Sequence, residues 1–411
     1  MRFERPLDAL NFFLADVRQG LGPYLAIYLL TERHWAEDQI GLVMTIGVAV
    51  GLIVQTPAGA LTDASRAKRA IIVAAALVVT GASIILPFMS SFMLVAGSQA
   101  AANAAEAFFG PAIAAITLGI MGPQAFTRRV GRNEAFNHAG NALAATLAGV
   151  FAWMFGPIVV FYVIASMALL SILSILAIRP EAIDYDRARG LRDGPSDSRD
   201  HPAALNVLLE NRGLLIFCLC CVTFHLANAA MLPLVGQKLA LQDRNQGTAL
   251  MAGCIVAAQV VMTPMAMLVG RRADIWGRKP LFLIGFAILS LRGFLYPLSD
   301  DRYYLFAIQS LDGVGAGLYG ALFPLVVADL TRGTGHFNLA QGAVITAQGI
   351  GAALSTSLAG LVVVHAGYST AFLVLAGVAA AGFLLYFFFM PETLQPNKSP
   401  PSKNATAAPA Q

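Results

Sequence analysis

Gly270-Arg-Arg-Ala-Asp274-Ile-Trp-Gly277-Arg278-Lys279 is a short charged turn wedged between two long apolar runs. A second such turn, Gly59-Ala-Leu-Thr-Asp63-Ala-Ser-Arg66-Ala67-Lys68-Arg69, stands 211 residues earlier. Charge confined to so short a turn, with about 20 apolar residues on either side, is the pattern of a hairpin between two membrane-crossing helices. Its recurrence predicts a chain built as a doubled membrane protein.

The rest of the composition agrees. Hydrophobic residues make up 57% of the chain and charged residues 12%, against about 25% charged in soluble domains, and the mean hydropathy is +0.68. The apolar runs are far longer than the ~10-residue alternating segments of a transmembrane barrel, so helices are the expected spans. The first run, from Ala9 to Leu30, contains Asp16, Arg18 and Gln19 and ends without a small-residue cleavage site; it is expected to be a retained first helix. Cys218, Cys220, Cys221 and Cys254 all fall inside apolar segments and read as small core residues, with no metal site or disulfide implied.

Breaks at Pro, Gly and charge clusters place helices at about 9–30, 39–62, 69–89, 92–121, 134–156 and 157–178. A second set follows at about 212–240, 246–270, 278–298, 302–330, 336–366 and 368–390. The predicted fold is therefore all-α and integral to the membrane, with twelve spans in two pseudo-symmetric six-helix bundles. With the N-terminus inside, 21 of the 27 Lys and Arg residues fall in inside segments. Only Arg33, Lys238, Arg244 and Arg302 fall outside, and Arg18 and Arg292 lie within spans. That asymmetry predicts cytoplasmic N- and C-termini and explains the net charge of +4 without a nucleic-acid partner.

The predicted organisation is an N-terminal bundle over residues 1–178, a flexible cytoplasmic linker over 179–211, a C-terminal bundle over 212–391 and a disordered tail over 392–411. Phe136-Asn137-His-Ala-Gly-Asn-Ala-Leu echoes Phe337-Asn338-Leu-Ala-Gln-Gly-Ala-Val. Each stretch is expected to open the fifth helix of its half. A parallel repeat of this kind places a substrate site near the midplane, between the bundles.

The two turns resemble the loop between helices 2 and 3, and its copy between helices 8 and 9, in the major facilitator superfamily, and the resemblance extends from about Asp8 to Thr393. The second turn holds Gly270, Asp274, Gly277, Arg278 and Lys279 in the family's order. The first keeps Gly59, Asp63 and Lys68 but has Arg66 where glycine is usual and Ala67 where arginine is usual. The resemblance implies a transporter in which Asp63 and Asp274 meet neighbouring helix N-termini and basic residues in one state of the transport cycle and release them in the other. The better-preserved copy makes Asp274 the expected stronger gate. An arginine frequent early in helix 4 of the family, and a Gly-Pro pair frequent in helix 5 of its exporters, are both missing here.

Polar residues inside the spans are costly unless they face a cavity or a partner. They concentrate in the first and fourth spans of each half: Asp16 and Arg18; Gln99, Asn103 and Glu106; His225 and Asn228; Gln309, Asp312 and Tyr319. In the resembled family these spans line the central cavity. Asp16, Arg18, His225 and Asp312 lie roughly seven to thirteen residues into their spans and Glu106 about fourteen, near the middle of a ~30 Å core. Gln99, Asn103, Glu106 and Gly110 share one helical face. Asp16 and Arg18 are about 200° apart around a helix, so Arg18 is expected to pair across the cavity with Glu106 or Asp312. Arg292 is expected to snorkel to the outer surface, and His138 with Asn141 to pack the interface of the fifth span.

One cation and three acids in the cavity disfavour a multiply anionic substrate and favour proton uptake, since desolvation opposes the charged carboxylate. Asp16, Glu106 and Asp312 are the proton-coupling candidates. Arg18, Gln99, Asn103, His225, Asn228, Gln309 and Tyr319 are the candidates for the substrate cavity. The expected function is alternating-access transport of a small organic solute, by proton antiport out of the cell, with a proton-coupled uptake symporter as runner-up and a non-transporting sensor as a remote alternative. The lipid bilayer of a cell membrane, the inner one in a bacterium, is the expected surrounding, and the chain is expected to act as a monomer. No nucleotide loop, Gly-x-Ser-x-Gly or His-Glu-x-x-His occurs, so no ATP, metal or other cofactor and no enzymatic activity are expected.

Overall fold

A computed structural model of the protein describes residues 4–18, 25, 28, 29, 32–35, 37–155, 158–191, 210–242 and 244–394. The second part of the predicted first span, most of the later linker and the tail beyond Leu394 lie outside the described residues.

The described residues form thirteen α-helices. In the first half these are α1 (Glu4–Val17), α2 (Glu37–Ala64), α3 (Lys68–Ile85), α4 (Phe92–Glu106), α5 (Phe109–Phe155) and α6 (Val159–Leu176). In the second half they are α7 (Arg212–Asn228), α8 (Met231–Gln242), α9 (Arg244–Trp276), α10 (Arg278–Leu295), α11 (Arg302–Ser310), α12 (Asp312–Leu330) and α13 (Phe337–Phe389). Nine helical stretches among the described residues are long and apolar enough to cross a membrane. Two of them, Phe92–Ala148 and Phe337–Phe389, run 57 and 53 residues, more than twice the ~20 that one crossing needs. Each bends at a glycine with positive φ, Gly122 at 67° and Gly367 at 81°, a conformation glycine adopts without a Cβ clash.

The bend at Gly122 corrects the sequence reading. Pro123 lacks an N–H but fits the first turn of a helix, so the helix resumes at once and does not wait until about residue 134. Thr127, Arg128, Arg129 and Arg132 therefore sit on α5 and not in a loop. The register of the repeat changes with it. Glycines 59 and 270, Asp63 and Asp274, and Lys68 and Lys279 are all 211 residues apart; so are Phe126 and Phe337, Thr127 and Asn338, Gly131 and Gly342, and Glu181 and Glu392. The Phe136/Phe337 echo lies outside this register and arises from similar side chains at unrelated positions.

Helix breaks fall beside the polar residues of the predicted cavity. Ala107 and Phe108 separate α4 from α5 next to Glu106, Leu311 separates α11 from α12 next to Asp312, and Ala229 and Ala230 separate α7 from α8 after Asn228. α1 ends at Val17 and α7 at Asn228, again 211 apart. Interruptions of this kind free backbone groups and mark functional regions of membrane helices more often than lipid-facing ones. Large apolar side chains such as Ile53, Phe88, Met93 and Val364 stand exposed on the outside of the bundle, where lipid covers them.

Within the first half α1 packs on α5 and α6, and α4 on α2 and α3; within the second, α13 packs on α7 and α10, and α9 on α12. The halves meet through α5 against α9 and α2 against α13. These seams are glycine-lined. A Cβ at Gly131 would lie 2.5 Å from both the Ala266 carbonyl oxygen and the Gly270 Cα, one at Gly342 2.6 Å from the Gln55 carbonyl oxygen, and one at Gly59 2.2 Å from the Asn338 carbonyl oxygen. Thr56 and Thr346 hydroxyls meet at 2.9 Å across the α2–α13 seam. A cysteine pair at Thr56 and Thr346 is expected to crosslink in an otherwise unchanged chain and to lose most of that crosslinking when Gly131→Leu is added. Gly97→Leu, where a side chain meets open space, is the control expected to leave crosslinking intact.

Candidate functional site

The polar residues of the second half form one buried cluster. Arg292 on α10, 1% exposed, makes an ion pair through Nη1 with Asp312 and donates through Nη2 to Asn228 Oδ1. The same Nη2 lies 3.2 Å from Met231 Sδ. Gln309 Nε2 donates to Asp312 at 3.2 Å, and the Tyr296 hydroxyl donates to Gln309 Oε1. Arg292 thus turns inward and does not snorkel, because Asp312 and Asn228 offer its guanidinium a charged and a neutral acceptor on neighbouring helices. Asp312 is consequently not the partner of Arg18. A little further along, Tyr319 accepts from Gln348 Nε2 and stacks on Phe224 at 4.4 Å. His225 keeps Nδ1 within 3.1 Å of the Cys221 carbonyl of its own helix, with its ring against Tyr319.

The first half is arranged differently. Arg18 donates to Asn137 Oδ1 at 3.4 Å, a neutral acceptor, so the expected ion pair with Glu106 does not form. Asp16 and Glu106 have no hydrogen-bond or ion-pair partner among the described residues. Gln99 is buried, and Asn103 donates to its carbonyl at 2.9 Å. His138 reaches across the seam, its Nδ1 2.8 Å from Gln259 Oε1 on α9, whereas packing within the fifth-span interface was its expected role.

Below this level the two charged turns close one end of the molecule, the end that carries most of the Arg and Lys. Asp63, 5% exposed, accepts from Leu339 N at 2.8 Å, Asn338 N at 3.3 Å and Asn338 Nδ2 at 2.7 Å. It caps the N-terminus of α13, where orphan N–H groups and the helix dipole favour an anion. Asp274, with its side chain 45% exposed, accepts from Thr127 Oγ1 at 2.8 Å and from Arg278 at 2.7 Å. Thr127 and Asn338 are thus equivalent residues with the same task in opposite halves.

The copies differ four residues after these acids. Arg278 also holds Thr127 at 3.1 Å and Asp329 at 3.2 Å. In the first half Ala67 stands in the place of Arg278 and Leu118 in that of Asp329, so both members of the ion pair are replaced together. Gly277, with φ at 89°, leaves room for Glu392, whose carboxylate accepts from Arg278 N at 2.9 Å and Lys279 N at 3.0 Å. Lys279 Nζ donates to the Phe387 carbonyl. Lys68 works inside its own half: fully buried, it donates to the carbonyls of Thr62 at 2.5 Å and Ser65 at 3.0 Å, ending α2.

Sequence reasoning missed three groups. Arg129 and Arg132 on α5 both bind Asp8, at 2.7 and 2.5 Å, and Arg129 also holds Asn133 at 2.7 Å, tying α1 to α5. The start of the predicted linker is also not a free tether. Ile183 and Ala188 are buried, Asp184 N donates to the Gly119 carbonyl at 3.1 Å, the Ala188 carbonyl accepts from Asn338 Nδ2 at 3.1 Å, and Gly333 N donates to the Gly190 carbonyl at 2.8 Å. Thr127, Asn338 and Glu392 were legible from the 211-residue register alone.

The Major Facilitator Superfamily model matches residues 7–271 and 232–411. The chain belongs to this family, and it is a multi-pass membrane transporter, not an enzyme. It is 58% identical over 393 residues to an uncharacterized MFS-type transporter, MT2531, of Mycobacterium tuberculosis, covering 96% of this chain and 94% of the relative. Multidrug resistance protein fnx1 of Schizosaccharomyces pombe is 30% identical over 149 residues, 35% of this chain and 26% of that one. Among solved structures, the fold is similar to the transporter FucP in the outward conformation, with a TM-score of 0.74, 17% identity, and coverage of 94% of this chain and 99% of that one. It is also similar to the human organic anion transporter MFSD10, with a TM-score of 0.67, 16% identity, and coverage of 94% and 97%.

Proposed function

We propose that the protein is a proton-coupled secondary transporter that exports a small organic solute in exchange for protons, working as a monomer. Twelve spans in two six-helix halves, with both termini and the basic end in the cytoplasm, are the topology of this reading. The arrangement described is then its outward-facing state, closed on the cytoplasmic side by the Asp63 and Asp274 contacts. The observation that carries the proposal is the contrast between the halves at mid-membrane. Asp312 is neutralised by Arg292, whereas Asp16 and Glu106 have no fixed countercharge among the described residues. A carboxyl group without a fixed partner can exchange a proton for a substrate without first breaking an ion pair. Asp16 and Glu106 carry the protons in this reading; Arg18, Asn103, His225 and Asn228 face the solute; and Gln99, Gln309, Asp312 and Tyr319 hold the walls of the cavity.

Export is supported by the partial likeness to the fission-yeast multidrug resistance protein fnx1. Uptake by symport is the second reading, since a solved structure of similar fold is that of a fucose:proton symporter. A thermal-shift screen of the purified protein against metabolites and antibiotics supplies a ligand, and proteoliposomes holding a pH-sensitive dye then separate the readings. Ligand and proton are expected to move in opposite directions, and Glu106→Gln to keep ligand binding while losing proton movement. Co-directional movement would establish symport, and solute flux indifferent to a pH gradient would sink proton coupling altogether.

A further inference from the structure

The α5–α9 seam is closed in layers from the basic end inward. Thr127 and Asp274 meet at its edge, and one turn further Gly131 lies against Ala266 and Gly270 with no room for a side chain. The next polar bond between the halves on this seam, among the described residues, joins buried His138 on α5 to Gln259 on α9, Nδ1 to Oε1 at 2.8 Å. An amide oxygen only accepts, so Nδ1 carries the proton and donates. His138 lies eleven residues beyond Thr127, and Gln259 fifteen before Asp274. At 1.5 Å per residue the bond is about 16 to 22 Å from the edge, near the middle of a ~30 Å core.

Packing does not require this pair. In the 211-residue register Gly349 stands in the place of His138 and Val48 in that of Gln259. The α2–α13 seam closes there on apolar surface, with Gly349 against the Leu52 side chain. Two polar groups at this depth each carry a desolvation cost that their bond does little more than offset. A duplicated fold that closes one seam without them has another use for them on the second. Asn137, the residue before His138, accepts from Arg18 at 3.4 Å and donates to Glu134 at 3.1 Å. Adjacent positions of α5 thus engage the arginine assigned above to the solute and the opposite half of the molecule.

We infer that His138 and Gln259 form a mid-membrane gate on the α5–α9 seam, a hydrogen bond made as the basic end closes and broken as it opens. The bond is directional where the matching contact on the other seam is not, so it fixes the register in which the halves meet. The inference concerns how the halves part and holds whichever solute is carried, and in whichever direction.

The test uses the full chain in membrane vesicles, with the four native cysteines replaced by alanine. Two buried positions report opening through their rate of maleimide labelling. One is Val130→Cys on α5, packed among side chains of the second half; the other is Leu339→Cys, opposite Gly59 on the other seam. His138→Leu and Gln259→Leu are each expected to raise both rates about two- to tenfold, the worth of one hydrogen bond. The double variant is expected to raise them no further than the faster single one. His138→Asn, whose Nδ2 takes the place of Nδ1, is expected to label at the original rates. If a leucine variant fails to fold, Gln259→Ala carries the same expectation. Unchanged rates in the leucine variants would overturn the inference. So would a rise at Val130 alone, which is local loosening, or His138→Asn labelling as fast as His138→Leu, which would assign the effect to ring packing and not to the hydrogen bond.

Discussion

Replacing Arg292 with alanine is expected to lower the thermal unfolding midpoint in detergent more than any other single substitution considered and to abolish transport. Removing one member of a buried ion pair leaves an uncompensated charge and costs about 3–5 kcal/mol. Asp312 would lose its countercharge, and Asn228 its donor. The partner substitution gives the check. Arg292→Ala combined with Asp312→Asn removes both charges and is expected to recover most of the lost stability, whereas Arg292→Lys is expected to recover only part, because an ammonium cannot fork to Asp312 and Asn228 together. An unfolding midpoint unmoved by Arg292→Ala would show that the pair contributes nothing to the fold.

Asp63→Asn is expected to impair closure of the basic end more than Asp274→Asn. Asp63 is buried and its charge accepts three hydrogen bonds from the other half, two of them from backbone N–H groups of the first turn of α13. Hydrogen bonds to a charged group are worth about 1.5–3 kcal/mol, and the loss of one shifts the closed-to-open ratio about tenfold or more. Asp274 is nearly half exposed, its ion pair is with Arg278 in its own turn, and its contact with the other half is one hydrogen bond, from the Thr127 hydroxyl, against three at Asp63. Crosslinking of the Thr56/Thr346 cysteine pair measures closure directly. A larger loss with Asp274→Asn would restore the order that the better-preserved motif implies.

The expected order of these two acids bears on where the sequence was informative and where it was not. The all-helical membrane class, most of the long apolar helices and the paired turns were readable, because burying charge in hydrocarbon is costly and leaves a visible pattern of interruptions. Pairing was not readable. Whether Arg18 or Arg292 meets Asp312 depends on helix rotation, which apolar runs rich in Ala, Gly and Leu fix only weakly. Motif completeness does not report cross-half contacts: with Ala67 the first turn lacks the arginine that pairs with the acid in the second, yet Asp63 caps the N-terminus of α13. The early start of α5 was hidden because Arg128, Arg129 and Arg132 look like loop residues until Asp8 is seen to neutralise two of them.

Phe126 and Phe337 are equivalent residues whose rings meet edge to face, 6.0 Å apart and inclined at 81°. Two points exchanged by a two-fold rotation can touch only if the axis runs between them, so these rings straddle the dyad at the basic end. Rocking of the halves carries such a pair directly apart, and a single interatomic distance there can stand as the reaction coordinate for the whole conformational cycle.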